Sequence, residues 1–282
     1  MTMQTHKRFS VSLLTKEHVI ALRGMARDID AHEISRIYLN ADLAFDEEVL
    51  GECTSLSKML PNAEWVLELP KILRKNDSAY LDRVWEFLKE SPLFHGILIA
   101  NLEAAGYFAD KKDAIRIYGD HYLYLWNSLA VKEWESVLDG GCLPLELRYQ
   151  EQKELLSLPF SWEKLVYGRI PMMLTANCIA KTNGNCPARA GETFALSDRL
   201  GKTFPVYLNC KHCHNIIYNS LPLSLHVNLE RLQEDLLLRI TLTTENASDA
   251  RKVLMYFLGG QYEQRLPFPF ESTTGHEKRG AL

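Results

Sequence analysis

The stretch Trp65-Val66-Leu67-Glu68-Leu69, then Tyr80-Leu81-Asp82-Arg83-Val84-Trp85-Glu86-Phe87-Leu88, then Gly96-Ile97-Leu98-Ile99-Ala100 decides the fold. Its first and last runs are short and apolar, as buried strands are. The middle run sets Tyr80, Leu81, Val84, Trp85 and Leu88 on one helical face at i, i+3 and i+4. Strand, helix and strand in that order make a βα unit and the start of the next, and such units build parallel sheets. The same rhythm extends outward in both directions. Further strand candidates are 9–14, 36–39, 114–118, 143–147, 164–167 and 236–242, and further amphipathic helices are 125–138 and 250–258. Eight strands is the number that closes a (β/α)8 TIM-type barrel. The rival doubly wound sheet lacks its usual Gly-x-Gly-x-x-Gly loop. The reading is therefore an α/β barrel over 1–265, with a cysteine-rich metal-binding loop (174–222) between the seventh and eighth strands. A polar, extended tail covers 266–282.

With 282 residues, 46% apolar and 24% charged, the chain has the composition of a globular protein. A net charge of -4 gives no general attraction to nucleic acid or to an anionic membrane. No 18-residue apolar run predicts a membrane span, and no secretory h-region stands near the N-terminus. Six cysteines without an export signal predict a reducing, cytoplasmic setting, where clustered cysteine binds metal more often than it forms disulfides.

Four of those cysteines fall within 36 residues, as Cys178-x7-Cys186-x23-Cys210-Lys-His-Cys213. Four thiolates suit a tetrahedral zinc or a [4Fe–4S] cluster. Only Cys210–Cys213 has the spacing of a zinc knuckle, and the rest is irregular, so the spacing alone admits both. Breakers such as Pro187, Gly191, Gly201 and Pro205 make the segment read as an irregular loop. His212 and His214 flank the last cysteine as further candidate ligands or as loop histidines. Cys53 and Cys142 read as small buried apolar residues.

In a barrel, polar residues just after the strands line the open, functional face. These are Asn40, Asp42, Glu68, Asn101, Asp120, His121, Asn127, Glu146, Arg148 and Arg169. Glu146, on an apolar strand, and Arg169 are the catalytic candidates. Asn127 and Arg148 are placed with substrate, joined by Asn215, Tyr218 and Asn219 next to the cysteines. Asp120 and His121 are adjacent, and adjacent strand residues point to opposite faces, so no dyad is expected of them. There is no Gly-x-Ser-x-Gly elbow, no His-Glu-x-x-His and no Walker loop, so common hydrolases and NTPases lose their usual signal.

Glu163-Lys-Leu-Val-Tyr-Gly168, with Cys178 ten residues on, resembles the signature of the peptidase U32 family, the collagenase-like proteases. Leu165 stands where that signature has Phe, Pro171 at its first cysteine and Ala176 at its second glycine. The stretches 198–206, 209–223 and 274–280 are similar to the long clostridial-type members. The family's opening Glu-Leu-Leu-Ala-Pro-Ala-Gly is absent. The resemblance covers about the last 120 residues well.

What the resemblance implies is a barrel fold and a [4Fe–4S] cluster on Cys178, Cys186, Cys210 and Cys213, with zinc as the alternative. It implies oxygen-independent hydroxylation of an RNA base or an aromatic small molecule, in some relatives with prephenate as oxygen donor. Peptide hydrolysis, as the family name says, is the alternative activity. A role beside a partner U32 subunit or an upstream domain is the non-catalytic one.

Overall fold

The computed structural model describes residues 7–74, 77–182, 186, 193–233 and 236–277. Eight parallel strands close into a barrel: β1 (Phe9–Leu13), β2 (Ile34–Asn40), β3 (Glu64–Glu68), β4 (Phe94–Ile99), β5 (Arg116–Gly119), β6 (Gly140–Cys142), β7 (Ser161–Gly168) and β13 (Leu237–Leu242). Closure runs through Gly140↔Ser161 on one side and Leu238↔Phe9 on the other. Around it lie α1 (Lys16–Met25), α2 (Glu47–Met59), α3 (Ser78–Glu90), α4 (Leu102–Phe108), α5 (Ser128–Trp134), α6 (Tyr149–Leu156) and α8 (Ala247–Leu258). No helix among the described residues is long and apolar enough to cross a membrane.

Alternation along the strands explains where the core sits. In Phe9-Ser10-Val11-Ser12-Leu13 the odd positions are apolar and join the main hydrophobic cluster beneath the helices. The even positions turn inward, where they meet charge. Ser10 and Tyr38 both donate to Glu163, and Arg239 from β13 donates to the same carboxylate through Nε at 2.6 Å. Lower in the barrel, Arg36 lies 3.5 Å from the centre of the Tyr118 ring and pairs with Glu64 at 2.8 Å. A TIM barrel ordinarily fills its interior with branched apolar side chains; this one fills much of it with paired polar groups.

Two expectations need correction. The sixth strand is Gly140–Cys142, not 143–147; the apolar run 143–147 is loop, so Glu146 sits on no strand. Both glycines are there because their neighbours leave no room. A Cβ at Gly140 would stand 2.6 Å from the Ser161 carbonyl oxygen, and one at Gly141 would stand 2.5 Å from Leu125. A strand written in glycine has no hydrophobic pattern to read. The fifth helix is Ser128–Trp134 rather than 125–138, since Asn127 caps it by accepting from the Ala130 N–H at 2.9 Å.

His18 on α1 is fully buried. Its Nδ1 accepts from the Leu14 N–H at 3.2 Å, so Nε2 carries the proton and donates to the Glu245 carbonyl at 2.9 Å. Burial holds this imidazole below its ordinary pKa. The folded state thus resists protonation more than the unfolded chain, and stability is complete above about pH 6.5. It falls by up to ~1.4 kcal/mol per pH unit as pH drops from there through the folded pKa. Thermal unfolding between pH 5 and 8 should show a shallower acid loss in His18→Asn than in the parent; equal slopes would refute the assignment.

Behind α8 the chain returns to the barrel. Phe268 stacks on His226 at 4.7 Å, Thr273 bridges to Leu223, and Glu277 pairs with the buried Lys164 at 2.9 Å.

Candidate active site at the barrel mouth

Between β7 and β13 the chain leaves the barrel and builds a second, four-stranded antiparallel sheet in the order β8 (Pro171–Thr175), β11 (His214–Tyr218), β10 (Thr203–Asn209), β9 (Thr193–Ser197). A one-turn helix, α7 (Ile179–Thr182), and a short strand, β12 (Leu223–Ser224), complete the excursion. The segment read as an irregular loop thus carries a sheet among its described residues. Entry and exit meet where Leu223 pairs with Gly168. Gly168 has φ +151°, and a Cβ there would lie 2.9 Å from the Thr241 carbonyl oxygen, so only glycine lets the chain turn out so close to β13.

This sheet is a lid across the C-terminal mouth of the barrel. Its lower face presents Tyr207, Ile216 and Tyr218, packed with Leu14 and Leu174. The upper face carries a separate small core of Ala180, Val206 and Leu208, against which Cys178 and Cys210 pack. The far end of the lid, the turn Cys210–Cys213, docks on loops that follow β2 and β3. His212 Nε2 lies 3.2 Å from Asp42 and its ring 4.8 Å from that of Tyr80, Lys211 Nζ reaches the Asp42 carbonyl at 3.2 Å, and Arg74 donates to the Cys213 carbonyl at 3.0 Å. Cys213 adopts φ +48° to close the turn.

The topology brings cysteines to that same end. Thr175, the last residue of β8, pairs with Asn215, and the Asn215 amide donates to the Asn177 carbonyl at 2.7 Å. Cys178 therefore follows β8 where Cys213 precedes β11. Cys186 is exposed beyond α7. No three of these thiols come within 4.8 Å of one another among the described residues. Thiolates around one zinc stand about 3.8 Å apart, from a Zn–S length of ~2.3 Å in a tetrahedron.

Beneath the lid lies a cavity of about 40 Å³, bordered by Ser12, Glu68, Lys71, Asp120, His121, Arg169, Tyr218, Arg239 and Thr241. At ~10–15 Å³ for each, it has room for about three water molecules. Asp120 is its electrostatic hub. Burial alone would raise its pKa, but His121, Arg239 and Lys71 outweigh that and hold the carboxyl well below the usual range. His121 Nδ1 and Arg239 Nη1 lie 2.7 and 2.9 Å from its Oδ1, and Lys71 Nζ is 4.0 Å from Oδ2 and 3.0 Å from Glu68. Burial would lower the Lys71 pKa, yet Glu68, Tyr122 and Asp120 keep the ammonium charged. The adjacent pair Asp120–His121 does bond, contrary to the strand argument, because β5 ends at Gly119 and the chain turns into a 3-10 helix there.

The predicted residues divide sharply. Arg169 and Tyr218 reach the cavity. Asn219 holds Arg169 in place: its carbonyl, with that of Ser220, accepts from Arg169 Nη1 at 3.0 and 2.6 Å. Asn215 braces the lid. Asn127 and Arg148 are exposed helix caps, Arg148 being engaged with Glu151 at 2.7 Å. Glu146 is half-buried in the loop after β6 and does not border the cavity. Missed were Lys71 and Arg239. Lys71 follows β3 by three residues, where the rule for polar residues after strands would have found it. Arg239 is the one charge within the apolar run 236–242.

No family model and no curated protein matches the chain. Among solved structures its fold is similar to that of the U32 peptidase Mk0906, with a TM-score of 0.50 at 9% identity, over 87% of this chain and 96% of the other. An uncharacterized B. cereus protein gives 0.42 at 15% identity over 90% of this chain and 65% of its own. An enolase family member from Agrobacterium tumefaciens gives 0.33 at 13% identity, over 56% of this chain and 47% of its own.

Proposed function

We propose that this chain is a U32-like barrel enzyme that holds the anionic end of a small substrate at Arg169, beneath a lid clasped by a metal centre on its cysteines. Arg169 carries the reading. Its Nη1 is taken by two carbonyls, no carboxylate pairs with it among the described residues, and its Nε is buried without a partner. Arg169 is half-buried, and a partly desolvated cation lacking a counter-charge is costly. A carboxylate on the Nε–Nη2 edge would supply one through two parallel, charge-assisted hydrogen bonds.

Cys178, Cys210 and Cys213, with Cys186 as the fourth, are the residues that would hold the metal. No three of their sulfurs lie within 4.8 Å of one another among the described residues, so either group would draw them together on binding. A [4Fe–4S] cluster bound there would supply electron transfer, whereas zinc would supply shape alone. With a cluster, the reaction we favour is oxygen-independent hydroxylation of an aromatic small molecule or an RNA base. A ring of that size exceeds a cavity of about 40 Å³, so the lid must lift about the neck at Gly168 and Leu223. Peptide hydrolysis is the second reading, favoured by the Asp120–His121 bond, which fixes an imidazole at the cavity.

Two measurements test the proposal. Anaerobically purified protein should carry iron and sulfide in about equal amounts, four each for a [4Fe–4S] cluster; zinc without iron would remove the redox reaction. Calorimetry with small carboxylates should show binding weakened about 10- to 150-fold in Arg169→Leu, the worth of a charged hydrogen bond at ~1.5–3 kcal/mol, and less in Arg169→Lys. Unchanged affinity in Arg169→Leu would refute the substrate assignment.

A further inference from the structure

We propose that Asp120, His121 and Cys142 form a second metal site, on the floor of the mouth cavity, for one divalent ion of the zinc class. One ligand atom from each lies within 4.8 Å of those of the other two, the one such His/Cys/Asp/Glu trio among the described residues. Carboxylate oxygen, imidazole nitrogen and thiolate sulfur together are a zinc-class donor set; magnesium and calcium take oxygen. Neighbouring strands fix the separation. Asp120 and His121 directly follow β5, Cys142 ends β6, and the two strands pair through Tyr118↔Gly140 and Gly119↔Gly141.

A carboxylate valence remains free: Asp120 spends Oδ1 on His121 and Arg239, leaving Oδ2 with no hydrogen bond and Lys71 at 4.0 Å. His121 Nδ1 would exchange its bond to Asp120 for the ion, with the ring proton held on Nε2. A further buried polar atom at the cavity, Thr241 Oγ1, has no partner. A three-ligand site beside an open cavity keeps a position for water or substrate, as catalytic zinc sites do.

Around the cavity Glu68, Asp120 and Glu163 face Lys71, Arg239 and Arg169, and a divalent ion would meet the further negative charge of a Cys142 thiolate. Without metal the thiol keeps its proton, since burial pushes its pKa up to about 12; binding releases that proton to solvent. The site is distinct from the lid cysteines, of which Cys178 and Cys210 pack on the outer face of the lid and Cys186 and Cys213 are exposed, and it does not depend on the substrate assignment.

The test is titration of anaerobically purified full-length protein with Co²⁺ alone, following stoichiometry and the thiolate-to-cobalt absorption. One equivalent beyond the lid centre should bind with that absorption. Both should disappear in Cys142→Ser, and affinity should fall at least tenfold in His121→Asn. His121 is partly exposed, so its variant keeps the question decidable if the buried Cys142→Ser fails to fold by circular dichroism. The proposal is overturned if no such equivalent binds, if it survives in the folded variants, or if it is lost only on replacing Cys178, Cys210 or Cys213.

Discussion

Glu163→Leu should destabilise the barrel by about 3–5 kcal/mol, the cost of leaving a buried charge without its partner. Glu163 is nearly inaccessible, and it accepts from Ser10, Tyr38 and Arg239, which reach it from three other strands across the barrel axis. Leucine would fill the space but strand the Arg239 guanidinium with Asp120 alone, and Asp120 already serves His121. The double variant Glu163→Leu/Arg239→Met should recover much of the loss, because removing both ions also removes their desolvation penalty. Urea unfolding measures both. A loss below ~1 kcal/mol in Glu163→Leu would mean that the inner network contributes to shape without holding the strands.

The same residues show why part of this molecule can be read from sequence. Seven of the eight barrel strands announce themselves because their outward positions must be apolar beneath helices: Phe9, Val11 and Leu13, or Trp65 and Leu67. The sixth does not, since crowding between β5 and β7 admits only Gly140 and Gly141 there, and glycine carries no pattern. Arg169 and Tyr218 were legible by their place relative to β7 and the cysteines. Arg239 was hidden because a charge inside an apolar run reads as a flaw unless its partners are known, and they lie just after β5 and on β7, 119 and 76 residues away. Glu146 misled for the converse reason: the apolar run around it packs as loop. Asn127 and Arg148 look like binding residues but cap helices, a role the same side chains fill equally well. The lid was legible as a place on the chain but not as a sheet, because strands 193–197 and 203–209 lie among turn-forming residues.

Removing the thiols of the lid turn, in Cys210→Ser/Cys213→Ser, should free the lid while the barrel stays folded. The lid's own core is little more than Ala180, Val206 and Leu208. Three apolar side chains are too few to offset the conformational entropy lost in ordering four strands. Contacts of the lower face and of Asp42, Tyr80 and Arg74 make up part of the difference, and the docking groups Lys211 and His212 stand between the two cysteines. A metal that fixes Cys210 and Cys213 therefore fixes the two side chains that hold the lid shut, and structural zinc is worth ~10–16 kcal/mol in small domains. Trypsin has exposed targets in the lid at Lys181, Arg199, Lys202 and Lys211. Losing even ~3 kcal/mol of local stability raises the open population about 100-fold, so cleavage at those sites should accelerate at least that much in the variant. The barrel's thermal transition should change far less, since its eight strands close without the lid. Equal cleavage rates in parent and variant would show that the lid is held by packing alone, and the clasp would have to be abandoned.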